Sequence, residues 1–341
     1  AINRNEKTVS VKNLKNQEVT LEKYDTLVLA TGSSPVIPKI PGIQSKRILS
    51  LWTVHDTDDI RKYIQDNKVD HAAVIGGGFI GVEMAENLRH RDMDVTLIEM
   101  MNQVMTPFDY EMAQLIHESL EHQGVHLHLG DGVDSFEESD DSVLIHLKSG
   151  KQISAQMVIL SIGIKPNNEL AKNCGLEIND RGGIVVDDML HTSDPDIYAV
   201  GDVIEVEDFI DKSRTMIPLA GPANKQGRIA ANNIAGEEEH YQGTQGSSII
   251  QIFDLTAANT GANEKTLIKR GLVKGKDYES LIIVQNSHAG YYPGAVPMTM
   301  KLLFSKEGNK IFGAQIIGKD VLTSGLIRLE PRFALAEPSG I

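Results

Sequence analysis

With 341 residues, 41% of them hydrophobic, the chain is long enough for two or three domains that each bury a core. A formal charge of −14 excludes the clustered Lys and Arg of a nucleic-acid footprint, and no apolar run approaches the roughly 20 residues of a membrane span. The single cysteine, Cys174, excludes an internal disulfide framework and cysteine-based zinc sites; residues 1–20 lack a signal-peptide core, so a cytoplasmic setting is expected.

Residues 8–12 and 17–22 alternate as paired antiparallel strands do, joined by the Asn-rich turn Asn13-Leu14-Lys15-Asn16. Thr26 to Ala30 is a continuous apolar run, the pattern of a buried parallel strand. It ends in Thr31-Gly32-Ser33-Ser34-Pro35, a loop. A helix is expected over 53–66 and a buried strand over 72–75. A second helix follows over 78–91, with Ile80, Met84, Ala85 and Leu88 on one face. A strand at 95–98, a helix at 109–123 and strands at 143–147 and 157–160 complete an α/β unit over 66–163. Residues 164–243 carry a buried strand at 197–200 and a helix from about Asn224 to Ile234. From about 244 the pattern becomes strands at 249–253, 280–284, 298–304 and 311–317 with a helix at 264–270, an α+β domain on an antiparallel sheet.

The clearest motif is Gly76-Gly77-Gly78-Phe79-Ile80-Gly81, placed directly between a strand and a helix. Gly76 permits the tight turn, Gly78 lets the backbone approach a pyrophosphate, and Gly81 lets the helix pack close to the strand. The helix N-terminus offers N–H groups to the phosphates. Glu99 ends the next strand, where a carboxylate accepts hydrogen bonds from the ribose 2′-OH of NAD and repels a 2′-phosphate. Met100 and Met101 follow it with no Arg to hold that phosphate, so NADH is favoured over NADPH. A second signal is Ala199-Val200-Gly201-Asp202, where a buried strand delivers a Gly-Asp pair to its C-terminal end, the edge at which α/β sheets bind ligands.

Thr31-Gly32 after a strand, the Gly76–Gly81 loop, Gly163 with Pro166, and Ala199 to Asp202 stand in an order and spacing that resemble the pyridine nucleotide–disulfide oxidoreductases. The resemblance runs from residue 1 to about 320. It implies a Rossmann-like NAD-binding domain (66–163) inserted in a partial FAD-binding domain (1–65 and 164–243), followed by a partial α+β dimerisation domain (244–320). It further implies that Thr31, Gly32, Gly201 and Asp202 serve FAD, with Asp202 at the ribityl hydroxyls, and that Gly163 sits beside the nicotinamide nucleotide. The segment Pro218 to Arg228, with Leu219 and Ala220 at its start, is similar to the flavin-side helix of the NADH oxidase, NADH peroxidase and coenzyme A-disulfide reductase group. Phe253-Asp254 resembles the dimer-domain segment that approaches the flavin. Ser287 to Ala295 resembles a segment of coenzyme A-disulfide and persulfide reductases in which a tyrosine reaches the partner's active site; here that is Tyr291 or Tyr292. A phenolic O–H there can hydrogen-bond a leaving thiolate. His288 reads as structural.

The resemblance therefore points to a homodimeric flavoprotein that passes hydride from NADH to FAD and on to a cysteine redox centre, acting on a small-molecule disulfide or persulfide carried, for example, by coenzyme A. The alternatives are an NADH oxidase or peroxidase, and a nucleotide-binding module without turnover. The N-terminal Gly-rich loop for FAD and the redox cysteine expected of the family are not in these residues. Cys174 lies in a helix end closed by Gly175 and reads as structural. Residues 321–341, with Pro331 and Pro338, break the expected interface helix and are read as an aberrant or unassigned tail.

Overall fold

Strands buried on both faces need apolar side chains at every position. Ala72 to Ile75 of strand His71–Ile75 and all of Met157–Leu160 meet that demand, and the two strands pair within a five-stranded parallel sheet. The computed structural model describes residues 1–210 and 212–319, so the 321–341 reading lies outside the described residues. The chain forms two units, Ala1–Ser34 with Ile164–Gly246, and Pro35–Gly163 with Ser247 onward.

In the second unit the parallel sheet runs Ile48–Ser50, Met157–Leu160, His71–Ile75, Asp94–Glu99, Val125–Leu129. Three helices accompany it: Val54–Asn67, Phe79–Arg89 and Tyr110–His122. The first starts where the sequence places it because Thr53 and Asp56 form a reciprocal cap: Asp56 N–H donates to the Thr53 hydroxyl at 3.3 Å, and Thr53 N–H donates to the Asp56 carboxylate at 2.6 Å. A three-stranded antiparallel sheet, Val133–Glu138, Val143–Leu147 and Gln152–Ala155, branches from this layer.

The same unit holds a five-stranded antiparallel sheet in the order Ser248–Ile252, Leu255–Gly261, Ile311–Gly318, Pro297–Ser305, Tyr278–Asn286. Leu255–Gly261 is a strand the sequence pattern misses. Its Ala-Ala-Asn run has weak strand preference, yet Ala257 and Ala258 are fully buried and pair on both sides, with Ser248–Ile252 and Ile311–Gly318. Ile250, Ile252, Phe253, Ala257 and Ile317 share one core with Leu88, Met112 and Ile116 of the helices. A buried charge cluster ties the same layers. Lys301 is 1% exposed and contacts Asp109 at 2.8 Å, Glu111 at 2.5 Å and Glu264 at 2.8 Å. Burial opposes its charge, but these three hydrogen bonds outweigh burial and hold the ammonium above the ordinary lysine range.

The first unit contains an antiparallel sheet of Ile2–Asn3, Thr8–Lys12 and Val19–Lys23. It also contains a parallel pair, Leu27–Leu29 with Ile197–Ala199. Leu29, Ile197, Ala199, Val203 and Ile229 lie in its core. Its long helix is Ala220–Ile234, starting four residues before the Asn224 that the sequence suggests. Pro222 falls in the first turn, where a missing N–H costs nothing.

Candidate functional site

Strand His71–Ile75 ends in a turn that only glycine can make. Gly76 has φ +105°, and a Cβ there would stand 2.4 Å from the Ser161 carbonyl oxygen. A Cβ on Gly81 would stand 1.8 Å from the Gly76 carbonyl oxygen, so this glycine sets the closeness of helix and strand. Gly77 is buried, with Val104 2.8 Å from where its Cβ would be. Gly78 differs: it is exposed and has open space where a Cβ would project. Gly78 is also the N-cap of Phe79–Arg89, and no side chain caps that helix. Its first-turn N–H groups, at Phe79 and Ile80, are thus available to an anion. The turn falls at Gly76 and the close helix–strand packing at Gly81, and Gly78 between them is left open.

Glu99 closes the next strand. One of its oxygens accepts the Gly77 N–H at 2.6 Å and the other the Met101 N–H at 2.7 Å. A carboxylate has about four lone-pair sites, so each oxygen keeps one for a hydroxyl. The segment packed against Gly77 is equally tied. Met105 N–H donates to the Gly77 carbonyl at 2.7 Å. Val104 N–H donates to His117 Nε2 at 3.1 Å, which leaves that nitrogen unprotonated; burial holds the His117 pKa below its ordinary value. The Ser161 hydroxyl lies 2.9 Å from the Ile75 carbonyl and 3.0 Å from that of Gly76. Beside the loop lies a cleft of about 450 Å³, lined among others by Gly76, Gly78, Glu99, Met100, Lys148 and Gly163. Gly163 has φ +119° with open space at its Cβ position.

In the first unit, Thr31 and Gly32 follow strand Leu27–Leu29. The Thr31 hydroxyl donates to the Asn167 carbonyl at 2.6 Å, and the Asn167 amide donates back to the Thr31 carbonyl at 2.9 Å. Gly32 has φ +65° and an open Cβ direction. Asp202 sits in the short turn Gly201–Val203, accepting a 2.7 Å hydrogen bond from Ser33. Gly201 N–H is held at 2.8 Å by the buried amide of Gln226 on helix Ala220–Ile234. Leu219 is that helix's N-cap and Ala220 its exposed first residue, again without a side-chain cap. Ser33, Asn167 and Gln226 are structural partners that the sequence reading does not single out. Each is an ordinary polar residue distant in sequence from what it holds.

The remaining residues fall elsewhere. Phe253, at φ +54°, turns the hairpin between Ser248–Ile252 and Leu255–Gly261; its ring is 9% exposed and meets the His90 ring edge-on at 5.3 Å. Tyr291 and Tyr292 are 91% and 67% exposed at a hairpin tip. His288 contacts the Tyr292 ring at 6.1 Å and the Ser287 hydroxyl at 3.1 Å, and has no carboxylate partner among the described residues. Cys174 packs against the first unit's core, its Sγ 3.3 Å from the Ala171 carbonyl, and Gly175 after it has φ +77°. Among the described residues no cluster of His, Cys, Asp and Glu is arranged for a metal, and no helix is long and apolar enough to cross a membrane.

Residues 1–227 match the family model described as pyridine nucleotide-disulphide oxidoreductase, and residues 247–327 match that family's dimerisation domain. The second match runs past Asp320, where the sequence reading ends the resemblance. The chain is 35% identical over 301 residues to the NAD(P)H sulfur oxidoreductase (CoA-dependent) of Pyrococcus abyssi, covering 88% of this chain and 66% of that protein. It is 37% identical over 298 residues to the NADH oxidase of Methanocaldococcus jannaschii, covering 86% of this chain and 64% of that protein. Among solved structures, reduced CoADR-RHD of Bacillus anthracis is similar with a TM-score of 0.92 and 49% identity, over 98% of this chain and 59% of that one. The chain thus spans somewhat under two thirds of the length of these relatives.

Proposed function

The chain belongs to the pyridine nucleotide-disulphide oxidoreductase family, a family that uses FAD and NADH, and on that premise we propose that the whole protein is an FAD-dependent NADH:disulfide or persulfide oxidoreductase of the coenzyme A-disulfide reductase kind. The observation that carries the proposal is the cleft at Gly78, whose open backbone, uncapped helix and Glu99 carboxylate suit the two phosphates and the ribose of NADH. Gly76 to Gly81, with Phe79 and Ile80 supplying N–H groups, would hold the pyrophosphate; Glu99 would take the ribose hydroxyls; Gly163 would leave room for the nicotinamide nucleotide.

Thr31, Gly32, Gly201, Asp202, Leu219 and Ala220 would form the flavin side. The open Cβ direction of Gly32 and the uncapped helix at Leu219 fit a flavin dinucleotide there. When bound, NADH supplies hydride and FAD carries the electron pair on to sulfur. The chain's own residues bind and orient these groups. Tyr291 or Tyr292, free of partners that would consume its hydroxyl, would donate a hydrogen bond to a leaving thiolate across a homodimer. Cys174, packed against the core, is not the sulfur centre. In domain terms this assigns 66–163 to NAD, 1–65 and 164–243 to FAD, and 244–320 to dimerisation. A small-molecule disulfide or persulfide is the proposed substrate.

The experiment is titration with NADH, followed by assay of FAD-loaded protein with coenzyme A disulfide, coenzyme A persulfide and oxygen, reading NADH consumption. Saturable NADH binding and faster turnover with a sulfur substrate support the proposal. Turnover with oxygen alone would move the protein to the NADH oxidase reading favoured by the Methanocaldococcus jannaschii relative. Absence of NADH binding would overturn the proposal at its base.

A further inference from the structure

The Gly76–Gly81 cleft contains a cation that the sequence pattern around Glu99 does not reveal. Lys148 lines the same cleft as Glu99 and Met100, although it comes from the turn after strand Val143–Leu147. Its stem, Gly132 and the Met100 side chain converge. A Cβ on Gly132 would stand 3.5 Å from Lys148 Cδ and Cε and 3.5 Å from Met100 Cγ.

A chain of hydrogen bonds fixes this placement. Asp131 N–H donates to the Glu99 carbonyl at 3.2 Å, and Gly130 N–H donates to the Met101 carbonyl at 2.8 Å. Lys148 N–H donates to the Gly132 carbonyl at 2.8 Å. Ser149 N–H donates to Asp131 at 3.1 Å, and the Ser149 hydroxyl bonds the same carboxylate. His128 Nε2 lies 3.4 Å from Asp131 Oδ2, the oxygen that the Ser149 hydroxyl also reaches. Asp131 is therefore engaged by Ser149 and His128 rather than by Lys148. Among the described residues no carboxylate lies within ion-pair distance of the Lys148 ammonium, and Lys148 is exposed on the cleft rim.

A lysine whose stem runs past Gly132 close to Met100, the residue after Glu99, has an electrostatic consequence. Glu99 disfavours a phosphate on the adenosine 2′ oxygen, whereas a lysine on a flexible stem is a good point-charge partner for phosphate. We propose that Lys148 is a specificity-determining residue that lets this cleft accept a 2′-phosphorylated dinucleotide as well as NADH. This rests on the reading of the cleft as the NADH site. It modifies the expectation, drawn from Met100 and Met101, that nothing here could hold that phosphate.

The test uses the 341-residue chain and calorimetric titration with NADH, NADPH, 5′-AMP and adenosine 2′,5′-bisphosphate, on the native sequence and on Lys148→Ala, Lys148→Glu and Lys148→Arg. The two adenosine probes read this half of the site without the nicotinamide. The expected result is that Lys148→Ala weakens NADPH and the bisphosphate about tenfold, leaves NADH and 5′-AMP within about twofold, and that Lys148→Arg restores the loss. Raising salt should shrink the native preference and not that of Lys148→Ala. Unchanged NADPH binding in Lys148→Glu, with NADH still bound, would overturn the role of Lys148 alone. Failure of the native chain to bind any of the four probes would overturn the cleft reading and the inference with it.

Discussion

The Gly76–Gly81 loop and the Thr31, Gly32 and Asp202 cluster both lie at the ends of parallel strands, but they are supported differently. The first ends the central strand of five, with Ala72, Ala73 and Val74 fully buried. Its shape is set by backbone contacts at Gly76 and Gly81 and by amides on Glu99. The second ends a strand in a parallel pair whose Val28 is 41% exposed, and side chains hold it: Thr31 with Asn167, Ser34 with Asn167, Ser33 with Asp202. Parallel sheets normally bury both faces. Within these residues the first site is held by backbone contacts and the second by side-chain hydrogen bonds.

The largest expected effect comes from the buried charge cluster in the same unit as the first site. Asp109 is the N-cap of Tyr110–His122, and it accepts from Gln315 at 2.7 Å and from the Glu264 N–H at 2.9 Å besides contacting Lys301. Lys301→Met leaves Asp109 and Glu111 without this cation and Glu264 with Lys274 alone, and should cost about 3–5 kcal/mol, read as a lowered denaturant midpoint. A loss below about 1 kcal/mol would mean that water enters the cluster. Next is the contrast within the loop. Gly81→Ala forces a methyl onto the Gly76 carbonyl and should destabilise by about 1–3 kcal/mol or more while weakening NADH. Gly78→Ala should leave the denaturation midpoint alone and weaken NADH only. Equal thermal losses in both would sink the division of roles.

Acid acts on the same cluster at an intermediate level. Burial would raise the Glu264 pKa, but hydrogen bonds from Lys301 and Lys274 pull it from 4.5 to about 2. A pKa depressed by folding stabilises above the unfolded value and loses that contribution as pH falls towards the folded one. Stability should therefore decline between pH 4.5 and about 2, and Glu264→Gln should flatten that limb in urea melts taken across the range. An unchanged limb would place the acid sensitivity on other carboxylates.

These contrasts also explain what the sequence could reveal. The Gly76–Gly81 loop was legible because glycine at fixed offsets records a backbone constraint, and Glu99 because strand length fixes its distance from the loop. Its bonds to Gly77 and Met101 were not legible, since nothing in a glutamate's position tells what its oxygens accept. Lys148 was hidden because its approach to Met100 depends on how the Val133–Glu138 hairpin pairs. The strand Leu255–Gly261 was hidden because buried alanines look like a loop. Around Thr31 the glycine and the aspartate were legible, while Ser33 and Asn167 carried no signal.

The smallest effect probes that second cluster. Ser33 is 6% exposed and its hydroxyl gives Asp202 a 2.7 Å hydrogen bond. Ser33→Ala removes a bond to a charged acceptor while Asp202, half-buried, can turn to water, so the stability loss should be about 1 kcal/mol. The informative reading is FAD affinity. If Ser33 orients the carboxylate for hydroxyls of a ligand, FAD binding should weaken by more than the stability change predicts, while NADH binding stays as it was. If both nucleotides bind as before, the Ser33–Asp202 contact is only packing, and the flavin side must draw its form from Gly32 and the helix beginning at Ala220.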